Sequence, residues 1–302
     1  MLVILESSVD TKKVEASFVF SPTLPGQVSW LDSKKVAFLP QGLGANKLYT
    51  MTFALRGRGE DVDAHTVFTA TFSTGTGGVP IPILMYHRLQ ELSPDAGQHQ
   101  RDWTVAPANL EKQLRCLADR GYRTIDFTSL VAYFRRQEPL PLRPIIISMD
   151  DGYREVYDMA RPLLAQYGFT ACLFVIPAHV GYPAYLDWEQ MRALRKAGYH
   201  FGSHTLNHHD LRKADEEEAR RQIRESKARI EEELGQTVIA FSYPLGAHNA
   251  RTIALLKEYS YQVAGTLDSG YYQRAENDGL FRLKRIRVSY ETTLEDFASK
   301  LP

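Results

Sequence analysis

Pro144-Ile145-Ile146-Ile147-Ser148-Met149-Asp150-Asp151-Gly152 is a short apolar run that stops at two adjacent carboxylates and a glycine. The run reads as a buried strand, and its end is where (β/α) barrels place chemistry, at the C-terminal rim of the sheet. Neighbouring residues of a regular strand point to opposite sides, so Asp150 and Asp151 face one site only if the chain bends. Gly152 permits that bend. Taken alone, Asp-Asp-Gly is also an ordinary strand-ending turn.

Outward from this segment the texture alternates. Strands are expected at 81–87, 123–126, 144–150, 170–177, 200–204, 238–244, 262–267 and 282–289, and helices at 106–120, 128–137, 153–167, 186–197, 214–234, 250–259 and 292–301. About seven or eight βα units argue for a parallel sheet, closed as a barrel or open and doubly wound, and their number favours the barrel. The clearest helix is 214–234, where Ala219, Ile223, Ile230 and Leu234 share a face, acidic residues crowd the N-terminus and Gly235 can terminate it. No Gly-x-Gly-x-x-Gly follows the first strand and no P-loop occurs, so nucleotide binding lacks its usual phosphate cradle.

Residues 1–76 differ. Short period-2 segments at 17–20, 35–39, 49–55 and 67–73 are separated by turn residues such as Pro25-Gly26 and Arg56-Gly57-Arg58-Gly59, which predicts a small all-β sandwich. Its pattern resembles bacterial immunoglobulin-like modules. Leu2 to Leu5 would be the second strand of such a module, so the natural start is expected upstream. Residues 77–82 read as a linker, flexible at Gly77-Gly78 and stiffened at Pro80 and Pro82.

Composition narrows the functions. The 302 residues are 44% apolar and 24% charged, as in globular proteins, and 36 Lys plus Arg balance 36 Asp plus Glu. A net charge of zero argues against a nucleic-acid or polybasic membrane-surface partner. No apolar run reaches the roughly 18 residues of a membrane span, and the first residues carry no basic leader. Cys116 and Cys172 are expected as buried thiols.

Three further segments arrive at the expected rim. Gly202-Ser203-His204-Thr205-Leu206-Asn207-His208-His209 places His204 and His208 four apart, on one face if the chain makes a helical turn, with His209 as the rival second ligand. Thr205 stands where a zinc protease of the His-Glu-x-x-His type has its base, so that reading fails. Val238-Ile239-Ala240-Phe241-Ser242-Tyr243-Pro244-Leu245-Gly246 stops at a Pro and Gly turn, and Ile81-Pro82-Ile83-Leu84-Met85-Tyr86-His87-Arg88 ends the first strand in a histidine. Each has a bland reading as a turn or a structural histidine. Their coincidence at one end of one domain is harder to dismiss.

Together the segments resemble the polysaccharide deacetylases, carbohydrate esterases that share a domain with rhizobial chitooligosaccharide deacetylases, over about residues 80 to 290. Ser148-Met149-Asp150-Asp151-Gly152 is similar to their Thr-Phe-Asp-Asp-Gly motif and His204-Thr205-Leu206-Asn207-His208 to their His-Ser/Thr-x-x-His motif. The resemblance implies a distorted (β/α) barrel of about seven strands over residues 83–302. It also implies Asp151, His204 and His208 as ligands of a divalent metal, zinc first with cobalt or nickel as alternatives, and Asp150 as general base. The substrate and oxyanion side is implied at Tyr243 and Leu245, chiefly the Leu245 N–H.

The chain departs from the common pattern twice. Where Arg-x-Pro-Tyr is usual it has Ser242-Tyr243-Pro244-Leu245, and no Leu-x-His follows, since no histidine occurs after His248. Met85-Tyr86-His87 is similar to the branch containing the poly-N-acetylglucosamine deacetylases of biofilm matrices, where the acid-donating histidine lies on the first strand. That implies His87 as general acid and an N-acetylated extracellular or cell-wall polysaccharide as substrate. Arg285 is a candidate substitute for the missing arginine. Trp103 and Tyr153 are candidates for stacking on sugars, Trp188 reads as packing, and His179, His200 and His248 read as structural or exposed. Two other readings stay open: a glycan-binding protein without catalysis, favoured by the missing arginine, and an esterase on O-acetylated glycan.

Overall fold

The computed structural model describes residues 2–4, 12, 14–21, 23–41, 47–57, 65–74, 78–136, 138–141 and 143–302. The chain divides into two units, Met1–Pro80 with Ala132–Leu142, and Ile81–Val131 with Arg143–Pro302. Residues 75–77, around the start of the expected linker, and Arg58 and Gly59 of the turn beginning at Arg56 lie outside the described residues.

Among the described residues of the first unit, six strands build its two sheets: β1 (Leu2–Ile4), β2 (Val14–Ser21), β3 (Gly26–Trp30), β4 (Lys35–Pro40), β5 (Lys47–Gly57) and β6 (His65–Thr74). They make two antiparallel sheets, ordered β1-β4-β3 and β2-β5-β6. Alternation puts Ala16, Phe20, Met51 and Phe53 of one sheet against Val36 and Phe38 of the other, with the rings of Phe20 and Phe38 4.6 Å apart. The two sheets therefore pack face to face through their apolar faces.

In the second unit the strands of the main sheet are β7 (Ile83–Tyr86), β8 (Arg123–Thr124), β9 (Pro144–Asp151), β10 (Cys172–Val175), β11 (His200–Ser203), β12 (Ala240–Ser242), β13 (Val263–Gly265) and β14 (Ile286–Arg287). Seven run parallel in the order β13-β12-β11-β10-β9-β7-β14, and β8 pairs only with the start of β9. A bridge from Gly265 to Leu283 joins the two ends of the row. This is the distorted seven-stranded arrangement expected. The helices are α1 (Gln98–Trp103), α2 (Pro107–Asp119), α3 (Phe127–Arg136), α4 (Arg161–Gln166), α5 (Trp188–Lys196), α6 (Glu216–Leu234), α7 (Ala250–Glu258) and α8 (Leu294–Ser299). Ahead of α4 a π turn spans Val156–Ala160, so the expected helix at 153–167 is shorter and wider at its start.

The strands alternate between two environments. Ile145, Ile147 and Met149 of β9 join Leu173, Phe201, Phe241 and the helix residues Leu110, Leu114 and Ile223 in one outer core. Burying each such side chain contributes about 1.5–3 kcal/mol, so this layer dominates stability. Ile146, Ser148 and Asp150 are equally buried but stand outside that core, on the opposite side of the strand. Two glycines make room there: a Cβ at Gly202 would meet the Phe174 ring at 2.6 Å, and one at Gly265 would come within 3.0 Å of Arg285 Nε.

Candidate active site

Register carries the polar residues to one rim. Met149 pairs with Tyr86, Asp151 with Val175, Ser203 with Phe241 and Ser242 with Gly265, so the residues that follow these strands leave the sheet together. The bend expected at Gly152 begins one residue earlier. Asp151 itself is at φ 71° and Gly152 at φ 78°, which turns the Asp151 carboxylate back toward the side of Asp150.

Asp150 is fully buried, and Arg285, from just before β14, is fully buried beside it. Arg285 Nη1 donates to Asp150 Oδ1 at 2.8 Å, Nη2 donates to Ser242 Oγ at 3.0 Å and Nε donates to the Thr266 carbonyl at 2.9 Å. Ser242 Oγ in turn donates to Asp150 Oδ2 at 2.9 Å. Burial alone would raise the Asp150 pKa, but Arg285, His204 and His87 outweigh it and hold the carboxyl well below the ordinary range. Arg285, the candidate substitute for the arginine absent from the Ser242-Tyr243-Pro244-Leu245 segment, therefore stands directly against Asp150. In sequence it lies 135 residues from Asp150.

Asp151, His204 and His208 form the second group, with one ligand atom from each within 4.8 Å of the others. His204 Nε2 is 3.4 Å and His208 Nε2 3.7 Å from Asp151 Oδ1. His204 Nδ1 donates to the Ser242 carbonyl at 2.7 Å, which leaves Nε2 as the lone-pair nitrogen facing Asp151. The segment is not the helical turn expected: residues 205–207 are turn, with Thr205 at φ 63° and His208 at φ 65°. It is anchored by the buried Gln222 of α6, whose Oε1 accepts from the N–H groups of Leu206 and Asn207. His209, the rival ligand, is outside the cluster.

A divalent cation fits these residues. Asp151 Oδ1 is buried without a hydrogen-bond partner among the described residues, a cost that a cation would remove. Burial lowers the pKa of both histidines, which favours the neutral imidazole that binds metal. One carboxylate and two imidazoles suit zinc, cobalt or nickel and leave positions open.

His87 completes the rim. Its Nε2 is 4.0 Å from Asp150 Oδ2, its ring packs against Trp103 at 4.5 Å, and its Nδ1 is buried with no partner among the described residues. Burial pushes its pKa down to about 4, although Asp150 opposes the shift. Tyr243, expected on the substrate and oxyanion side, lines the cleft at this rim; its hydroxyl donates to the Phe281 carbonyl at 3.1 Å and its N–H to the Gly265 carbonyl at 3.2 Å. In the next turn the N–H groups of Gly246 and Ala247 are also spent, while Leu245, at φ 59° and 62% exposed, stands on the wall.

A cleft of about 560 Å³ joins His87, Asp150, Asp151, His204, His208 and Leu245, with Trp103 and Tyr153 also on its wall. Arg88 and Leu267 line it too and were not foreseen. Arg88 carried a signal, following His87 directly; Leu267 carried none. Trp188 packs on the core, His200 pairs with Asp126 at 2.9 Å and His248 stacks on Tyr243 at 5.0 Å, all outside the cleft. Cys116 and Cys172 are free thiols, Cys172 buried and Cys116 partly so.

Residues 137–264 match the family model described as polysaccharide deacetylase. YxkH of Bacillus subtilis (strain 168), whose name describes it as a polysaccharide deacetylase, is 29% identical over 209 residues, covering 69% of this chain and 71% of that one. The poly-β-1,6-N-acetyl-D-glucosamine N-deacetylase of Escherichia coli (strain K12) is 22% identical over 72% of this chain, which spans only 38% of that enzyme's length. Among solved structures, the Streptococcus pyogenes deacetylase PplD in complex with acetate superposes with a TM-score of 0.69 at 28% identity, covering 74% of this chain and 99% of the other.

Proposed function

We propose a substrate and a mechanism from the premise that this chain carries a polysaccharide deacetylase domain and is an amide-bond hydrolase of that family. The reading is a metal-dependent N-deacetylase that removes acetyl groups from GlcNAc residues of an extracellular or cell-wall polysaccharide. Poly-β-1,6-N-acetylglucosamine is the first candidate, on the strength of the Met85-Tyr86-His87 segment and the named activity of the E. coli relative. The observation that carries the reading is the meeting of Asp151, His204 and His208 beside a buried Asp150 that Arg285 clamps.

Asp151, His204 and His208 would hold the cation. Bound there, it would supply a water acidified toward a pKa of about 7 and a Lewis acid for the acetamide carbonyl. Asp150, ionised at any working pH and fixed by Arg285 and Ser242, takes the proton of the attacking water. His87 delivers a proton to the departing amine. Because burial keeps its imidazole neutral at rest, the proton it gives is the one Asp150 has received, 4.0 Å away. The Leu245 N–H supports the developing oxyanion.

The direct test strips the metal, restores zinc, cobalt or nickel, and measures acetate released from β-1,6- and β-1,4-linked GlcNAc oligomers and from O-acetylated xylan. Release from the β-1,6 oligomers is expected to exceed the others and to vanish without metal. Metal binding with no acetate from any glycan would leave a binding protein instead.

A further inference from the structure

A histidine that moves protons is ordinarily oriented by a hydrogen bond to its second nitrogen, which selects tautomer and ring angle. His87 has no such bond among the described residues: Nδ1 is buried and unpartnered. What touches its ring is Trp103, at 4.5 Å with the planes inclined by 60°. The backbone explains the meeting. A two-residue parallel ladder pairs Thr104 with Arg88 and Val105 with Leu89, and Trp103 and His87 are the residues immediately before those pairs. The ladder is extended by the Gln90 N–H, which donates to the Val105 carbonyl, and the end of α1 is pinned where the Tyr290 N–H donates to the Arg101 carbonyl.

Trp103 is not buried in the core. It stands between the catalytic cleft and a second cavity of about 550 Å³. Within that second cavity the Arg287 guanidinium lies over the indole, 5.0 Å from the ring centroid. Among the described residues Arg287 forms no ion pair, so the indole is the group it rests on. Arg287 is exposed, and such a cation on an indole is worth about 0.5–1 kcal/mol, which favours one rotamer of an otherwise half-free side chain.

We propose that Trp103, seated by Arg287, is the positioning residue for His87, doing by ring contact what a carboxylate or carbonyl does for other proton-transferring histidines. The inference rests on the acid role given to His87 above, and its test separates the two. The wild type and Trp103→Ala, Trp103→Phe and Arg287→Gln are compared with zinc restored, on a GlcNAc oligomer and on an aryl acetate whose leaving group needs no proton. Trp103→Ala should lower kcat on the amide roughly 10-fold or more, a fraction of the 10²–10⁴ that a general acid supplies, and lower ester hydrolysis less than about 3-fold. Trp103→Phe should recover most of the loss, and Arg287→Gln should show the same split in weaker form. Equal losses on both substrates, or no loss on the amide, overturn the proposal.

A second measurement needs no activity. In the metal-free protein the His87 ring protons should carry a ring-current displacement and give one sharp set of signals, which Trp103→Ala moves and broadens. Signals that neither move nor broaden also overturn it. If the wild type releases no acetate from any glycan, the substrate reading fails while these spectra still decide whether Trp103 holds His87.

Discussion

At the scale of single residues, the buried pair Asp150 and Arg285 sets the strongest constraint. Removing one member of a buried ion pair strands the other, typically at a cost of about 3–5 kcal/mol. Arg285→Ala is therefore expected to lower the melting temperature sharply and abolish turnover, because it deprives Asp150 Oδ1, Ser242 and the Thr266 carbonyl of their donors at once. Asp150→Asn separates chemistry from metal binding: turnover should fall by at least about 10²-fold while metal content, read by elemental analysis, stays at wild type. An Asp150→Asn protein as active as wild type would remove Asp150 as the base. These residues were unequally legible. Asp150, Asp151, His204 and His208 announce themselves by position at strand ends, whereas Arg285 is only a candidate in the sequence, because the Gly265 gap that admits its side chain is not visible there. The direction of the Tyr243 hydroxyl was beyond reach for the same reason, since its acceptor, Phe281, is 38 residues away.

At the scale of elements, the segment 204–208 borrows its shape from α6. Gln222 accepts from two of its backbone N–H groups and is itself tied to Glu218 at 2.8 Å, so the spacing of the two imidazoles depends on a helix that supplies none of the proposed ligands. Gln222→Ala should leave the fold intact and weaken zinc binding by roughly 10–100-fold in a competition titration, the range found for outer-shell partners of metal ligands. The elements themselves were read well where one signal ruled: Asp215 caps α6 by accepting from the Glu218 N–H at 2.8 Å, and Gly235 ends it at φ 60°. They were read poorly where backbone strain ruled, as at Thr205 and His208, because no local propensity predicts a positive φ at those residues. The short helix α1, which delivers Trp103, lacks an apolar stripe and was missed on that account.

An element also carries the acid limb of stability. Asp126 accepts from the Ser129 N–H at 2.6 Å at the start of α3 and pairs with His200. Burial opposes the charge, but these partners bring its pKa down from 3.8 to about 2. A folded pKa below the unfolded one gives stability that is complete above about pH 4 and lost as pH falls toward 2. With 1.36 kcal/mol per unit and the exposed His200 screened by solvent, the contribution is about 1 to 2 kcal/mol. Asp126→Asn should therefore destabilise the protein by that amount at pH 6 in urea unfolding and by almost nothing at pH 2. A difference that does not shrink with acid would refute the assignment.

At the scale of the molecule, two units with separate apolar cores differ in what they can gain from a ligand. The first has a small core built on Phe20, Phe38, Met51 and Phe53, and the second has the extended core between sheet and helices together with all the proposed metal ligands. A cation that binds only the folded second unit stabilises that unit by RT ln(1 + [L]/Kd), about 2.7 kcal/mol at one hundred times Kd. Unfolding of the two units need not be a single event, because nothing in the ligand set is shared. Calorimetry of the full chain is thus expected to resolve a transition that zinc moves upward by several degrees and a chelator moves back, and a second that neither affects. His204→Ala should abolish the zinc-dependent shift and leave the other transition where it was. If both transitions rise together with zinc, the cation is binding elsewhere or the units unfold as one, and the assignment of Asp151, His204 and His208 would then have to be re-established by metal-edge absorption on each single variant.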